Sequence, residues 1–311
     1  MDEVRFERAL FFSWYCSKAD CTFCYMSTQK DKIDPKKGRR SFASIIAETI
    51  IAKKMGWKIE FISGGYKAYT KKELVFLVKI VHKIMNEKPW LNLGTLTKKE
   101  LELFKPDIEG YCGSVESVNW KLRKEVCPSK KMVPILRTYK SCEALNLKKA
   151  MTIIIGLGET IKDFENLKIF IKKNKISRIT FYALNPHPGT GFTKSPDKKY
   201  YADWILKTRN AFPKLDIIAG AWSDKTEYYY DIIKAGANSI TKLPAIRKFG
   251  SKELKDVELQ VKKAGKTFKG TLTKLPNVDW EKEIEKIDIT SELKIEVKIK
   301  LNKYLKRIKK C

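Results

Sequence analysis

Strand-like runs alternate with amphipathic helical patterns along nearly the whole chain, and this alternation constrains the fold more than any other feature. Apolar, β-rich runs lie at residues 9–14, 59–63, 91–96, 108–116, 151–156, 179–184, 215–219 and 238–243. Helical periodicity occupies residues 42–55, 72–85, 98–104, 130–144, 162–173, 200–211, 226–234 and 251–263. A strand followed by a helix, repeated in this way, predicts an α/β fold built on a parallel sheet. Eight such units predict a closed (β/α)8 barrel of the TIM type. A six-unit open barrel is the alternative, because the third and eighth strands carry the weakest signals. Residues 1–264 then form the barrel, and residues 265–311 a basic C-terminal extension. In the extension Leu293, Ile295, Val297, Ile299 and Leu301 alternate as in a strand, whereas Leu301, Tyr304, Leu305 and Ile308 fit a helical face, so the pattern leaves its type open.

The 311 residues carry a formal net charge of +28, mostly from Lys spread along the chain. Such a balance raises nucleic acid as a partner. A Lys-rich composition also marks proteins from hot environments, and with no basic block in the sequence the general bias is the preferred reading. An acidic partner protein stays open, with the basic C-terminus as its place. No stretch approaches 18 consecutive apolar residues, which argues against a transmembrane helix and a membrane partner. The first residues, MDEVRFERALFFSWYC, lack a basic n-region and a small-residue cleavage site, so a cytoplasmic location is expected.

The cysteines stand at 16, 21, 24, 112, 127, 142 and 311. An odd count in a chain of this kind argues against a disulfide framework. Cys16, Cys21 and Cys24 fall within nine residues, directly after the first predicted strand, where a (β/α) barrel places its chemistry. Zinc would want a fourth ligand close by, yet the two histidines, His82 and His187, are remote in sequence. Three thiolates on one loop suit three irons of a 4Fe–4S cubane and leave the fourth iron open. That reading is preferred over zinc and over three buried structural cysteines.

The segment Cys16-Ser17-Lys18-Ala19-Asp20-Cys21-Thr22-Phe23-Cys24 resembles the motif of the radical S-adenosylmethionine (SAM) superfamily, CxxxCxΦC, with Phe23 at the aromatic place and one extra residue between the first two cysteines. The resemblance implies that Cys16, Cys21 and Cys24 hold a 4Fe–4S cluster whose open iron chelates SAM. It implies reductive SAM cleavage to a 5′-deoxyadenosyl radical that activates a C–H bond, with an electron donor such as ferredoxin or flavodoxin. Further strand ends fit it. Gly64 and Gly65 resemble the GGE motif at the SAM amino group, with Tyr66 replacing the acid. Ser114-Val115-Glu116 places Glu116 as the ribose-binding acid. In Ile154-Ile155-Gly156-Leu157-Gly158-Glu159, Ile154 matches the residue that packs on adenine, while Thr152 replaces the first glycine of that motif and Glu159 fits helix-start chemistry equally well. Asn185 lies in Leu184-Asn185-Pro186-His187-Pro188-Gly189-Thr190, which resembles a strand end of biotin synthase and its relatives; His187 there could face the substrate or simply be exposed.

The order of these pieces, with Gly236-Ala237-Asn238-Ser239-Ile240, resembles the branch of biotin synthase, the HydE maturase and PylB, over residues 8–250. Biotin synthase also carries a sulfur-donating 2Fe–2S cluster. By motif alignment two of its ligand positions fall here at Ala150 and Ala221, which argues against that cluster and against biotin synthesis. Cys112, Cys127, Cys142 and Cys311 could hold an auxiliary cluster, as in lipoyl synthases, although their spacing matches no compact ligand motif. Two chemistries in cofactor biosynthesis therefore compete: lipoyl-type sulfur insertion on a carrier protein, and rearrangement, cleavage or methylation of a small molecule without sulfur donation. An RNA-modifying radical SAM enzyme has only the net charge in its favour.

Overall fold

The computed structural model describes residues 2–65 and 67–309. The elements, in order, are β1 (Glu3–Phe11), α1 (Pro35–Gly38), α2 (Phe42–Lys54), β2 (Lys58–Ser63), α3 (Lys71–Met85), β3 (Trp90–Asn92), α4 (Lys98–Phe104), β4 (Gly110–Glu116) and α5 (Trp120–Val126). Then follow α6 (Met132–Ala144), β5 (Lys148–Ile155), α7 (Phe164–Asn174), β6 (Arg178–Ala183), α8 (Lys198–Ala211), β7 (Asp216–Gly220), α9 (Tyr228–Lys234) and β8 (Ser239–Thr241). The chain continues through α10 (Lys252–Lys263), β9 (Thr267–Lys269), α11 (Trp280–Glu285) and α12 (Ser291–Ile308).

Strands β2 to β8 pair in sequence, all parallel, and β1 joins β8 on one side and β2 on the other. The ring is thus a closed (β/α)8 barrel with helices outside it. The two strands with the weakest sequence signal, β3 and β8, are three residues each. β1 begins earlier than the apolar run suggests, because Val4 and Phe6 are buried between Glu3, Arg5 and Glu7. Residues 12–14 leave the ring: Phe12 N–H still donates to Ser63 O (2.9 Å), while Ser13 bridges to Arg39. The cysteine segment therefore departs from the carboxyl end of the barrel.

Helix starts carry the local chemistry expected of them. Thr70 and Thr97 each form a reciprocal capping box, with Glu73 and Glu100. Helix α2 is apolar nearly all round, and Ala43 to Ala52 are all buried, because α12 covers the face turned away from the barrel. Val297, Leu301, Leu305 and Ile308 supply the contact, and the Tyr304 hydroxyl meets Ser44 Oγ at 2.7 Å. The undecided segment of the extension is thus a helix, which leaves Ile295 and Ile299 exposed on its far side. Ahead of it, β9 pairs with residues 3–5 of β1, so the extension packs on the barrel along its length. Helix α5, between β4 and α6, has no counterpart among the sequence expectations. No helix among the described residues is long and apolar enough to cross a membrane.

Candidate active site

The loop bearing Cys16, Cys21 and Cys24 is tied down at both ends and in the middle. Ser27 Oγ–H donates to Cys21 O (2.6 Å), Cys24 N–H to Cys21 O (3.0 Å) and Ser27 N–H to Cys24 O (3.0 Å), which folds Cys21 and Cys24 onto one turn. The extra residue between the first two cysteines is absorbed by Ala19, whose φ is +39°. Three contacts bind the loop to the segment after β4: Thr22 N–H to Val126 O (3.0 Å), Lys18 Nζ to Ser129 O (2.9 Å), and Ser129 Oγ to Asp20. All three cysteines are free thiols, Cys21 buried and the others half-buried. Among the described residues no three His, Cys, Asp or Glu side chains converge on one point, and Cys21 is turned toward Cys127. The Cys127 thiol donates to Cys21 Sγ, which brings Cys21 down to about 7 against the effect of burial and raises Cys127 itself. Burial raises Cys24. Soft thiol donors, unlinked to one another and held on one loop, fit the ligand types of an iron–sulfur cluster.

Gly64 and Gly65 are needed by the protein's own packing. A Cβ on Gly65 would lie 1.6 Å from Tyr15 O and 2.8 Å from Cys16 Cα; one on Gly64 would lie 2.6 Å from the Phe12 ring. The backbone at Gly65 thus abuts the start of the cysteine loop, and that at Gly64 the Phe12 ring. Tyr66, the next residue of that motif, and Cys311 lie outside the described residues.

Glu116 ends β4 in the left-handed region, φ +66°, and is buried. Its oxygens receive Lys130 Nζ (2.8 Å) and Thr152 Oγ1 (3.1 Å). Burial opposes the Lys130 ammonium, but the Glu116 carboxylate and the two neighbouring cysteines hold its pKa well above the usual lysine range. Ser114 Oγ donates to Asn92 Oδ1 (3.0 Å) and borders, with Lys18, Thr95 and Lys130, a cavity of about 160 Å³. Ile154 packs in a small cluster with Cys21, Val126, Cys127, Leu157 and Leu184, and Phe23 lies at its edge. Glu159 closes the turn after β5 by accepting from Gly156 N–H (2.7 Å) and Leu157 N–H (2.9 Å). The loop after β6 carries half-buried Asn185 and His187, whose ring meets Tyr25 edge-on at 5.8 Å. Five strand ends thereby surround one mouth.

A family model described as the radical SAM superfamily matches residues 13–171, more than half of the chain. The chain belongs to the radical SAM superfamily. An uncharacterized Methanocaldococcus jannaschii protein, MJ0597, is 41% identical over 293 residues, which cover 93% of this chain and 81% of that protein. Biotin synthase of Methanococcus vannielii is 26% identical over 191 residues, 60% of this chain and 57% of that enzyme, so the match spans little more than half of either. The crystal structure of methylornithine synthase (PylB) superposes with a TM-score of 0.70 at 20% identity, covering 85% of this chain and 82% of that one, and shares its fold.

Radical SAM membership makes the surroundings of the spare cysteines informative. Cys112 lies inside the barrel beside Phe61, Trp90 and Ala150; Cys127 lies against Cys21; Cys142 is buried on α6 in the main core. They occupy three separate packing environments. Sequence reasoning did not single out Lys130, nor Glu60 and Lys242 inside the barrel, and it met Thr152 only as a departure from a motif glycine, not as a partner of Glu116. The signal for Lys130 was weak, since one lysine among so many carries little information.

Proposed function

We propose that this radical SAM enzyme holds a 4Fe–4S cluster on Cys16, Cys21 and Cys24 and binds SAM across the ends of β2, β4, β5 and β6. The observation that carries the reading is the strapping of the cysteine loop onto the segment after β4, which sets Cys21 beside Ile154 and Cys127 and close to the Glu116–Lys130 pair. When bound, the cluster would supply one electron for cleavage of the SAM C–S bond, with methionine leaving, and so the radical chemistry for C–H activation. The chain's own residues position SAM and exclude water. Glu116, oriented by Lys130 and Thr152, keeps lone pairs to accept ribose hydroxyls. Ile154 offers an apolar face to adenine, Gly64, Gly65 and Ser114 border the methionine end, and Asn185 closes the β6 side.

The separation of Cys112, Cys127 and Cys142 supports rearrangement, cleavage or methylation of a small molecule in cofactor biosynthesis, rather than lipoyl-type sulfur insertion through a second cluster. The lysine-rich surface suits an acidic electron donor such as ferredoxin or flavodoxin, and the outer face of the basic extension, residues 265–311, is its proposed dock. Anaerobic reconstitution tests the assignment. Wild-type protein should take up about four irons per chain and form 5′-deoxyadenosine from SAM under reduction. Cys16→Ala, Cys21→Ala and Cys24→Ala should each abolish that product. Normal product from any of them would refute the ligand set, and about eight irons per chain would restore the auxiliary cluster.

A further inference from the structure

The proposed SAM site reaches round the barrel mouth from β2 to β6; the remaining arc, beyond β6, is shaped by β7 and β8. Lys242 follows β8 directly and has a left-handed backbone, φ +70°. Glu116 does the same at the end of β4, and in an eight-strand ring β4 and β8 face each other. A bulky residue in this conformation persists only where its surroundings impose it, and such positions concentrate at functional sites. Here Gly220 makes the room. A Cβ on Gly220 would lie 2.9 Å from Lys242 Cβ and 2.8 Å from Thr241 Cγ2, so only glycine lets β8 end in this way.

The Lys242 side chain reaches across to β6. Nζ donates to Ala183 O (2.7 Å) and stands 5.2 Å from the centre of the Tyr182 ring. Beneath it, the hydroxyls of Tyr182 and Thr241 both donate to Glu60, which is buried in the barrel. Glu60 sits at a bulge of β2, where the register against β1 skips from Ile59 to Phe61, and a bulge of this kind re-aims a side chain. Burial pulls Lys242 down to about 7, with the Glu60 carboxyl acting the other way and the Lys225 charge adding to the fall. Trp222, two residues past β7, has a buried indole N–H with no partner among the described residues. The register Gly220↔Thr241 places it one residue beyond the level of Lys242.

We propose that Lys242 anchors the substrate through a carboxylate, holding it across the mouth from Glu116; this rests on the reading of the cysteine loop as the radical site. With Ala183 O engaging one of its three N–H groups, the ammonium has donors left for an incoming anion. A monoanion fits better than a phosphate dianion, because the Lys242 and Lys225 charges are already opposed by the Glu60 and Glu116 carboxyls. Half-buried His187, on which the Lys242 charge acts, lines the same side.

The test uses the cluster-free full-length chain at about pH 6, where Lys242 is charged and acetate ionised, and sodium acetate as the probe, with acetamide and sodium chloride at matched ionic strength as controls. A ligand that binds only the folded state raises the melting temperature. Acetate should raise that of wild type above both controls, Lys242→Met should lose the increment, and Lys242→Arg should keep part of it. An equal increment in wild type and Lys242→Met would overturn the proposal. So would no increment in wild type, or a larger Lys242-dependent increment with inorganic phosphate than with acetate. SAM cleavage by reconstituted wild type is measured in parallel. Its absence alongside a Lys242-dependent increment would sink the radical site and leave an anion site; cleavage without the increment would sink the anion site alone.

Discussion

Replacing Gly65 by Ala perturbs the cysteine loop while leaving every thiol in place. The new Cβ would lie 1.6 Å from Tyr15 O, 2.4 Å from Tyr15 C and 2.8 Å from Cys16 Cα. All three are main-chain atoms, so no rotamer change relieves the overlap. Contact between carbons is optimal at about 3.5–4.0 Å, so the loop must retreat by roughly an ångström or more. Overpacking of this kind costs about 1–3 kcal/mol, and more where backbone must move. In chains approaching this size each kcal/mol lowers the melting temperature by about 2–4 °C, so a fall of roughly 2–12 °C is expected. Gly191→Ala is the matched control, because nothing lies within 4 Å of the Cβ it would add. The assays are thermal unfolding of the cluster-free chain by circular dichroism and iron content after anaerobic reconstitution. Gly65→Ala should melt lower and retain less than half of the wild-type iron, while Gly191→Ala should match wild type in both. Equal melting and equal iron in Gly65→Ala would refute the argument that Gly65 exists to admit the cysteine loop.

Lys130→Met should destabilise the chain by about 3–5 kcal/mol in urea unfolding, because it strands the buried Glu116 carboxylate, and adding Glu116→Gln should recover most of the loss; equal stability of the single and double variants would contradict the pairing. Burial raises the Glu60 carboxyl to about 7 against the hydrogen bonds from Thr241 and Tyr182. In the unfolded chain the same carboxyl ionises near 4.5, so between those values the folded state holds more protons, and this contribution to stability is full at low pH and declines as pH rises toward 7. The decline amounts to as much as about 3 kcal/mol. Glu60→Gln cannot ionise, so its urea midpoint should fall less than that of wild type between about pH 5 and about pH 8; parallel falls would show that Glu60 does not titrate this way. Leu301→Ala should cost about 2–5 kcal/mol, because Leu301 is buried between α12 and α2, and an unchanged midpoint would mean that the extension does not stabilise the barrel.

The barrel was legible in the sequence because its signal is periodic and repeated eight times. Its edges were less so. β1 starts at Glu3 because charged Glu3, Arg5 and Glu7 hide a strand in which Val4 and Phe6 are buried. Helix α5 is only seven residues long and follows its strand after three, too short for a periodic pattern to register. In α12, period-two alternation up to Leu301 runs into a helical face that begins at Leu301, and only the α2 surface decides between them. The cysteine loop could be read because three thiols within nine residues have few other uses. Its geometry could not. That Cys127 meets Cys21, that Lys130 pairs with Glu116 and that Gly65 admits Tyr15 are contacts between strand ends, set by barrel closure rather than by spacing along the chain. Glu60 and Lys242 were hidden for the same reason, since one Lys among so many is silent until the fold turns it inward.

The most direct test of an open iron on this loop is electron paramagnetic resonance of the reconstituted, reduced protein with and without SAM. On the proposed ligand set SAM should alter the cluster signal of wild type, because its amine and carboxylate would bind the open iron. A signal identical with and without SAM, or a site that takes up zinc and gives no cluster signal at all, would contradict the account.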